Sequence, residues 1–348
     1  MNAEFFEALE AIEKEKGISR DYMLSKISQA LVSAYKRDNL GEADNVFVDA
    51  DPEKREIRMF VSKEVVEEVE DTVLQISVDA AQSYKPGAMV GDIIDISIET
   101  KKFGRIAAQT AKQVIIQGIR EAERGMVYDQ YTSKEQEILT GTVLRADPRT
   151  GNLILNVGTG GEKSEALLAR NEQSPIEQLG EGDMVKVYVL EVRRSNHGPQ
   201  IMVSRTHPGL VKRLFELEVP EIYDGIVEIK SISREPGSRS KIAVWSSQSD
   251  VDPVGACVGP RGSRVGAVVD ELKGEKIDII KYSDDPAEYI AAALAPATVT
   301  SVETVPEERC CHVVVPAEQL SLSIGKEGQN ARLAAKLTGY KIDIKTSY

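Results

Sequence analysis

Two glycine-bounded tetrapeptides carry the residues of this chain best suited to chemistry with phosphate: Gly259-Pro260-Arg261-Gly262 and Gly325-Lys326-Glu327-Gly328. Each follows an aliphatic residue and precedes a helical stripe, Val265, Val268, Val269 and Leu272 in the first and Ala331, Ala334, Ala335 and Leu337 in the second. Both continue to a turn glycine and a Lys-Ile-Asp-Ile run, at 276–279 and 341–344. One unit therefore occurs twice. A Gly-x-x-Gly turn between helices lets a nucleic-acid backbone approach where side chains are missing. Loop amides and the N-terminus of the next helix then offer donors and partial positive charge to phosphates. A single such turn reads better as a helix-turn-helix corner capped by glycine. Two copies in the same context, with the same ending, reverse that preference. Arg261, Arg264, Lys326 and Arg332 add cations at the loops.

Other constellations that could do chemistry fail on spacing. The loop Gly158-Thr159-Gly160-Gly161-Glu162-Lys163-Ser164 ends in Lys-Ser, but a phosphate loop needs glycine where Glu162 and Val157 stand. A dinucleotide fingerprint would put its last glycine on Lys163, and no helical pattern opens there. A hairpin loop is the expectation. The three histidines, His197, His207 and His312, lie in unrelated contexts, and no paired carboxylates or nucleophile-base arrangement accompanies them. Asp284-Asp285-Pro286 reads as a helix start, with Asp285 as N-cap. No catalytic residue, metal site or cofactor is expected. Cys257, Cys310 and Cys311 have neither the number nor the spacing of a disulfide framework or a zinc site, and are read as buried thiols in a reducing cytoplasm.

These loops need elements to hold them. Upstream of each, a helix and two strands are predicted: Leu210–Leu217, Ile226–Ile232 and Lys241–Trp245 before the first, Ala287–Leu294, Thr298–Glu303 and Cys311–Val315 before the second. Each unit thus reads αββααβ. Residues 132–205 carry five short β-rich runs, Ile138–Leu144, Leu153–Val157, Glu165–Leu168, Val185–Val192 and Gln200–Ser204, as in a small OB-type barrel. Arg193 and Arg194 flank one of its turns, Tyr188 is its only candidate stacking ring, and a packed role suits both that ring and Trp245 better. The first segment opens with two amphipathic helices (Phe5, Leu9, Ile12; then, after Ser19, Leu24, Ile27, Leu31, Ala34). Four strand-like runs follow, Val46–Val48, Ile57–Val61, Val73–Val78 and Ile93–Ile98, and then a long helix from Gly104 to about Tyr131 with Ala111, Ile115, Ile119 and Ala122 on one face. The fold class expected is multidomain α+β. At 348 residues, with a net charge of −13, the chain is too long for one small domain. More than half of the acidic excess, −7, lies in residues 1–125, so the whole-chain charge does not decide what the later modules bind. Arg239 and Lys241, in a predicted hairpin, join the basic elements. Met1-Asn2-Ala3-Glu4 has no basic leader and no apolar run is long enough to span a bilayer, so a cytoplasmic protein without membrane contact is expected.

The helix-Gly-x-x-Gly-helix units resemble KH domains of the prokaryotic topology, and the five-strand segment resembles the OB-fold RNA-binding domain of ribosomal proteins. A tandem KH pair after such a barrel and an acidic α+β head is similar to the NusA family of bacterial transcription termination/antitermination factors. The segments 204–225, 234–241, 251–259 and Ser323-Ile324-Gly325-Lys326-Glu327-Gly328-Gln329-Asn330-Ala331-Arg332 carry that likeness. The resemblance implies a head at 1–131 with a connector helix that docks on RNA polymerase, a barrel at 132–205, and KH domains at 206–283 and 284–348. The barrel and KH pair would hold emerging single-stranded RNA, modulating pausing, intrinsic termination and antitermination. It further implies partners among other elongation or antitermination factors, while the continuous helix at 104–131 and the short, Pro-containing linker at 206–209 lead to the expectation of an elongated monomer. Its RNA-binding residues would be Gly259, Pro260, Arg261, Gly262, Arg264, Gly325, Lys326, Glu327, Gly328 and Arg332, with Arg193 and Arg194 in the barrel. A generic RNA-binding or ribosome-associated protein is the competing class, because only the resemblance assigns the head its partner. An RNA-processing enzyme is disfavoured by the missing catalytic cluster.

Overall fold

The computed structural model describes residues 3–38, 45–51, 53–98, 104–158, 164–195 and 198–346. The chain divides into two compact units, Met1–Met126 and Val127–Tyr348.

In the first unit, helices α1 (Ala3–Lys16) and α2 (Arg20–Asp38) bury the stripes their spacing predicts. Phe6, Leu9, Ile27 and Leu31 pack with Val46 and Met59 from the inner face of a four-stranded sheet. Strand β2 (Glu56–Val66) is central, antiparallel to β1 (Val46–Asp51) and β4 (Ile93–Ser97) and parallel to the short β3 (Gln75–Ser77). Ile115, Ile119 and Ala122 of α4 (Gly104–Thr132) close the same core, while the Ala111 side chain lies outside the described residues. A five-residue helix, α3 (Val78–Gln82), begins at the last residue of the run Val73–Val78 expected as a strand, of which β3 keeps Gln75–Ser77. Ser77 Oγ accepts from the Ala80 amide and starts it, and five residues are too few to show a helical period.

The second unit begins with a closed barrel of β5 (Ile138–Ala146), β6 (Leu153–Asn156), β7 (Glu165–Leu168), β8 (Met184–Ser195) and β9 (Gly198–Ser204), in the order β5-β6-β7-β9-β8. That order and the parallel β7/β9 pair make an OB-type barrel. Leu155, Leu168, Val187, Val189 and Val203 fill it, and the Tyr131 hydroxyl reaches in to donate to the Val157 carbonyl at 3.1 Å. Residues 159–163 of the glycine-rich loop, and 196–197, lie outside the described residues.

Two αββααβ units follow. The first comprises α5 (Pro208–Glu218), the short α6 (Pro220–Tyr223), β10 (Val227–Glu235), β11 (Arg239–Ser246), α7 (Pro253–Val258), α8 (Ser263–Glu271) and β12 (Lys276–Lys281). The second comprises α9 (Pro286–Ala293), β13 (Ser301–Val305), β14 (Cys310–Val315), α10 (Leu320–Ile324), α11 (Gln329–Thr338) and β15 (Lys341–Thr346). In both sheets the first pair is antiparallel and the second parallel. Asp285 Oδ1 accepts from the Ala287 amide, the N-cap expected of it.

Barrel and helical units share cores. Tyr188 is 8% exposed, stacks on His207 at 4.7 Å and packs with Leu210, Leu214 and Phe215, so it offers no free face to a base. Arg205, fully buried, reaches from the end of the barrel to Glu177 (2.5 Å), to Glu271 of α8 (3.0 Å) and to the carbonyls of Lys186 and Glu271. Ala243 and Ile280 of the first unit's sheet pack on Tyr289, Ile290 and Leu294 of α9 and Leu337 of α11. Cys257 and Cys311 are buried as expected, but Cys310 is half-exposed: it stands at the open end of β14, where alternation turns every second side chain outward.

Candidate nucleic-acid interface

The two Gly-x-x-Gly loops have one backbone. Gly259 has φ/ψ of 72°/173° and Gly325 75°/172°, a region closed to residues with a Cβ. The third positions, Arg261 (54°/29°) and Glu327 (54°/26°), are both left-handed, as are Gly262 (77°/16°) and Gly328 (76°/14°). Gly259 caps α7 through its amide to the Gly255 carbonyl, and Gly325 caps α10 through its amide to Ser321, both at 2.9 Å. The chain then turns directly into α8 and α11, so each helix opens its N-terminus at the loop.

The residue two places into each following helix braces the loop. Arg264 Nη1 donates to the Ala256 carbonyl (2.6 Å) and to Glu221 (2.8 Å), and Asn330 Nδ2 reaches the corresponding carbonyl of Leu322 (3.4 Å) as well as those of Ser323 and Leu294. These side chains also occupy the space a Cβ would need. At Gly259 it would meet Arg264 Cγ at 2.6 Å, and at Gly325 it would meet Asn330 Cβ and the backbone N at 2.8 Å. Arg264, a quarter exposed, is thus held by its own protein behind the loop, which the spacing did not disclose.

The other cations sort by partner. Arg261 and Lys326, at the loop tips, make no hydrogen bond or ion pair among the described contacts. Arg332 Nε is held by Glu235 at 2.6 Å, and its Nη1 donates to the Glu327 carbonyl at 3.1 Å. That bond from Arg332, aided by Gln329, keeps the Glu235 carboxyl below its usual range. Arg193 pairs with Glu191 and Arg194 lies 4.3 Å over the Tyr128 ring; both sit on the barrel, with no bond to either loop. Arg239 and Lys241 do not belong to a basic surface. Arg239 grips Asp278 with two bonds (2.7 and 2.9 Å), and Lys241, fully buried, donates to Asp278 (3.0 Å) and to the Ala295 carbonyl (2.7 Å). Burial works against the Asp278 charge, but these two donors outweigh it and hold the carboxyl low. The parallel β11/β12 register, which local sequence does not show, brings Asp278 opposite Lys241.

Residues that sequence reasoning missed tie the second loop to the first unit. Gln329 Nε2 donates to Glu235 (2.8 Å) and Ser238 (2.7 Å) in the β10–β11 hairpin. Between hairpin and loop lies a cleft of about 380 Å³, lined by Arg239, Lys276, Leu322, Gly325, Lys326 and Asn330 among others. The only sequence signal for it is the polar first turn of α11. Trp245, half-buried, has Lys230 over its ring at 4.4 Å. Burial raises the thiols of Cys257 and Cys311, to about 12 and about 11, so neither is a thiolate at neutral pH. Among the described residues no group of three or more His, Cys, Asp or Glu could hold a metal, and no helix is long and apolar enough to cross a membrane.

Comparison with known proteins matches residues 4–125 to the NusA N-terminal domain, 205–282 to the NusA-like first KH domain and 286–348 to the NusA-like second KH domain. The chain is 56% identical over 346 residues to the transcription termination/antitermination protein NusA of Halalkalibacterium halodurans, covering 99% of this chain and 89% of that one. The Bacillus subtilis protein of that name is 56% identical over 346 residues (99% and 91% covered), and that of Thermus thermophilus 44% over 351 residues (98% and 89%).

Proposed function

The chain belongs to the NusA family of transcription termination/antitermination proteins, and from that premise we propose that it bridges RNA polymerase and nascent single-stranded RNA to modulate pausing, intrinsic termination and antitermination. The modules are the head (1–131), the barrel (132–205) and the KH domains (206–283 and 284–348). The observation that carries the RNA half is the matched backbone of the two Gly-x-x-Gly loops, held within one packed unit. Two equal phosphate-gripping turns on one body suit a single strand crossing both, because the second grip becomes intramolecular once the first is made. Arg261 and Lys326 are the cations free to meet phosphate, with Arg332 beside the second loop. Arg264 serves as a brace, and Arg193 and Arg194 offer a weaker barrel contact. The polymerase half rests on family membership and on the charge of the head, which repels RNA and suits a protein partner.

The test uses the full chain. Immobilised protein is challenged with purified core RNA polymerase and, separately, with short single-stranded RNA at increasing salt. Retention of polymerase, together with RNA affinity that falls steeply with salt, supports the reading. RNA binding without polymerase retention would leave only a generic RNA binder.

A further inference from the structure

The inner face of the head sheet is filled by helices, but its outer face has no cover among the described residues and is not polar enough to need none. Alternation along β1, β2 and β4 puts Phe47, Asp49, Arg58, Phe60, Glu64, Ile93 and Asp95 on that face. Phe47 and Phe60 are a cross-strand pair with rings 5.8 Å apart, nearly parallel. Phe47 is nevertheless 48% exposed, and Ile93, on the same face, is 70% exposed. A partly exposed aromatic pair, with a second exposed apolar side chain four residues further along β4, on the open side of an antiparallel sheet where polar residues are the rule, marks an interaction surface.

The charges choose the partner. Asp49, Asp51, Glu56, Glu64 and Asp95 put five carboxylates on this face, and the cations beside them, Arg58 and Lys54, are already paired with Asp49 and Asp51, each at 3.1 Å. Asp95 accepts a hydrogen bond from the Ser62 hydroxyl at 2.6 Å. The loop beyond β2 adds Glu67, Glu68, Glu70 and Asp71. RNA is repelled by such a face, and so is a second copy of it.

We propose that this outer face is where the head receives its protein partner, a polypeptide segment of RNA polymerase that presents Lys or Arg around one or two apolar anchors. The inference rests on the reading that the head engages polymerase. Aromatic anchors at the centre and complementary charge at the rim are how such surfaces divide affinity and steering.

Ile93→Lys and Phe47→Ala test it in the full chain. Both positions are exposed enough for the fold to survive, and circular dichroism with unchanged affinity for short single-stranded RNA controls for that. Purified core polymerase should bind each variant at least about tenfold more weakly than the unaltered chain. Glu64→Gln should slow association at low salt and matter less at high salt. If the unaltered chain binds polymerase and both apolar variants bind equally well, the surface is wrong while the polymerase reading stands. If the unaltered chain does not bind polymerase, both fall together. If Phe47→Ala instead weakens RNA binding with its circular dichroism unchanged, the face is a nucleic-acid surface and the proposal is overturned.

Discussion

Replacing Pro260 and Arg261 together by Asp should weaken RNA binding more than replacing Lys326 and Glu327 together by Asp. The first pair changes its loop charge by −3 and the second by −2. Geometry does not explain any difference, because the two backbones agree to within a few degrees at the glycines and at Arg261 and Glu327. Nor do the neighbouring cations, since Arg264 and Arg332 are each held by a carboxylate. Charge at the tips is what remains. A unit charge about 4 Å from a phosphate is worth about 1 kcal/mol in water, and a Debye length of about 8 Å at physiological salt leaves roughly 0.6 of that. The first variant should therefore lose about 1.8 kcal/mol, or roughly 20-fold in affinity, and the second about 1.2 kcal/mol, or roughly 8-fold. Asp accepts the left-handed conformation found at Arg261 and Glu327 better than most residues, so both variants should fold. Titration against a fluorescent single-stranded RNA, with circular dichroism as control, measures the ranking. A larger loss in the second loop would refute the charge argument, and no loss in either would reduce the loops to helix caps.

Three more outcomes are expected. Arg205→Ala leaves Glu177 buried without its partner between the barrel and the first KH domain, and should cost about 3–5 kcal/mol in urea unfolding; a loss under 1 kcal/mol would mean the pair adds little. Alanine at Gly259 or Gly325 adopts a glycine-only conformation at about 1–3 kcal/mol, and Gly325→Ala should be worse because its Cβ meets Asn330 backbone rather than a flexible Arg264 stem; equal midpoints would contradict this. Burial holds the His207 imidazole below its ordinary pKa, and its Nδ1 accepts from the Gly209 amide at 3.0 Å, which requires the neutral ring. The unfolded chain takes up that proton first, so stability should begin to fall as pH drops through about 6.5, and His207→Asn, which keeps an N-cap acceptor, should flatten that part of the profile.

What the sequence disclosed and what it hid differ by range. The stripes of α1, α2, α8 and α11 and the five barrel runs were legible because periodicity is local. The two Gly-x-x-Gly loops were legible because they repeat. Lys241 was counted among the basic elements because its meaning depends on Asp278, brought opposite by a parallel pairing that spans a helix-turn-helix, and on Ala295 of the following αββααβ unit. The brace that Arg264 makes was hidden for a similar reason, since Glu221, which pairs with it behind the loop, belongs to a helix before the sheet. Tyr188 has its stacking partner, but it is His207, nineteen residues on in the chain and read from the sequence as one of three histidines in unrelated contexts. Charge in a sequence says what a residue can do; the register and the neighbouring module decide whether it is free to do it.

The central claim, that one chain joins polymerase to its transcript, is tested most directly by single-round transcription with purified core polymerase on a template carrying a pause and an intrinsic terminator. The account predicts that the full chain changes pause lifetime and terminator readthrough, and that the Pro260/Arg261→Asp variant, which keeps its head, loses most of that change. Equal pausing and readthrough with and without the chain would contradict it.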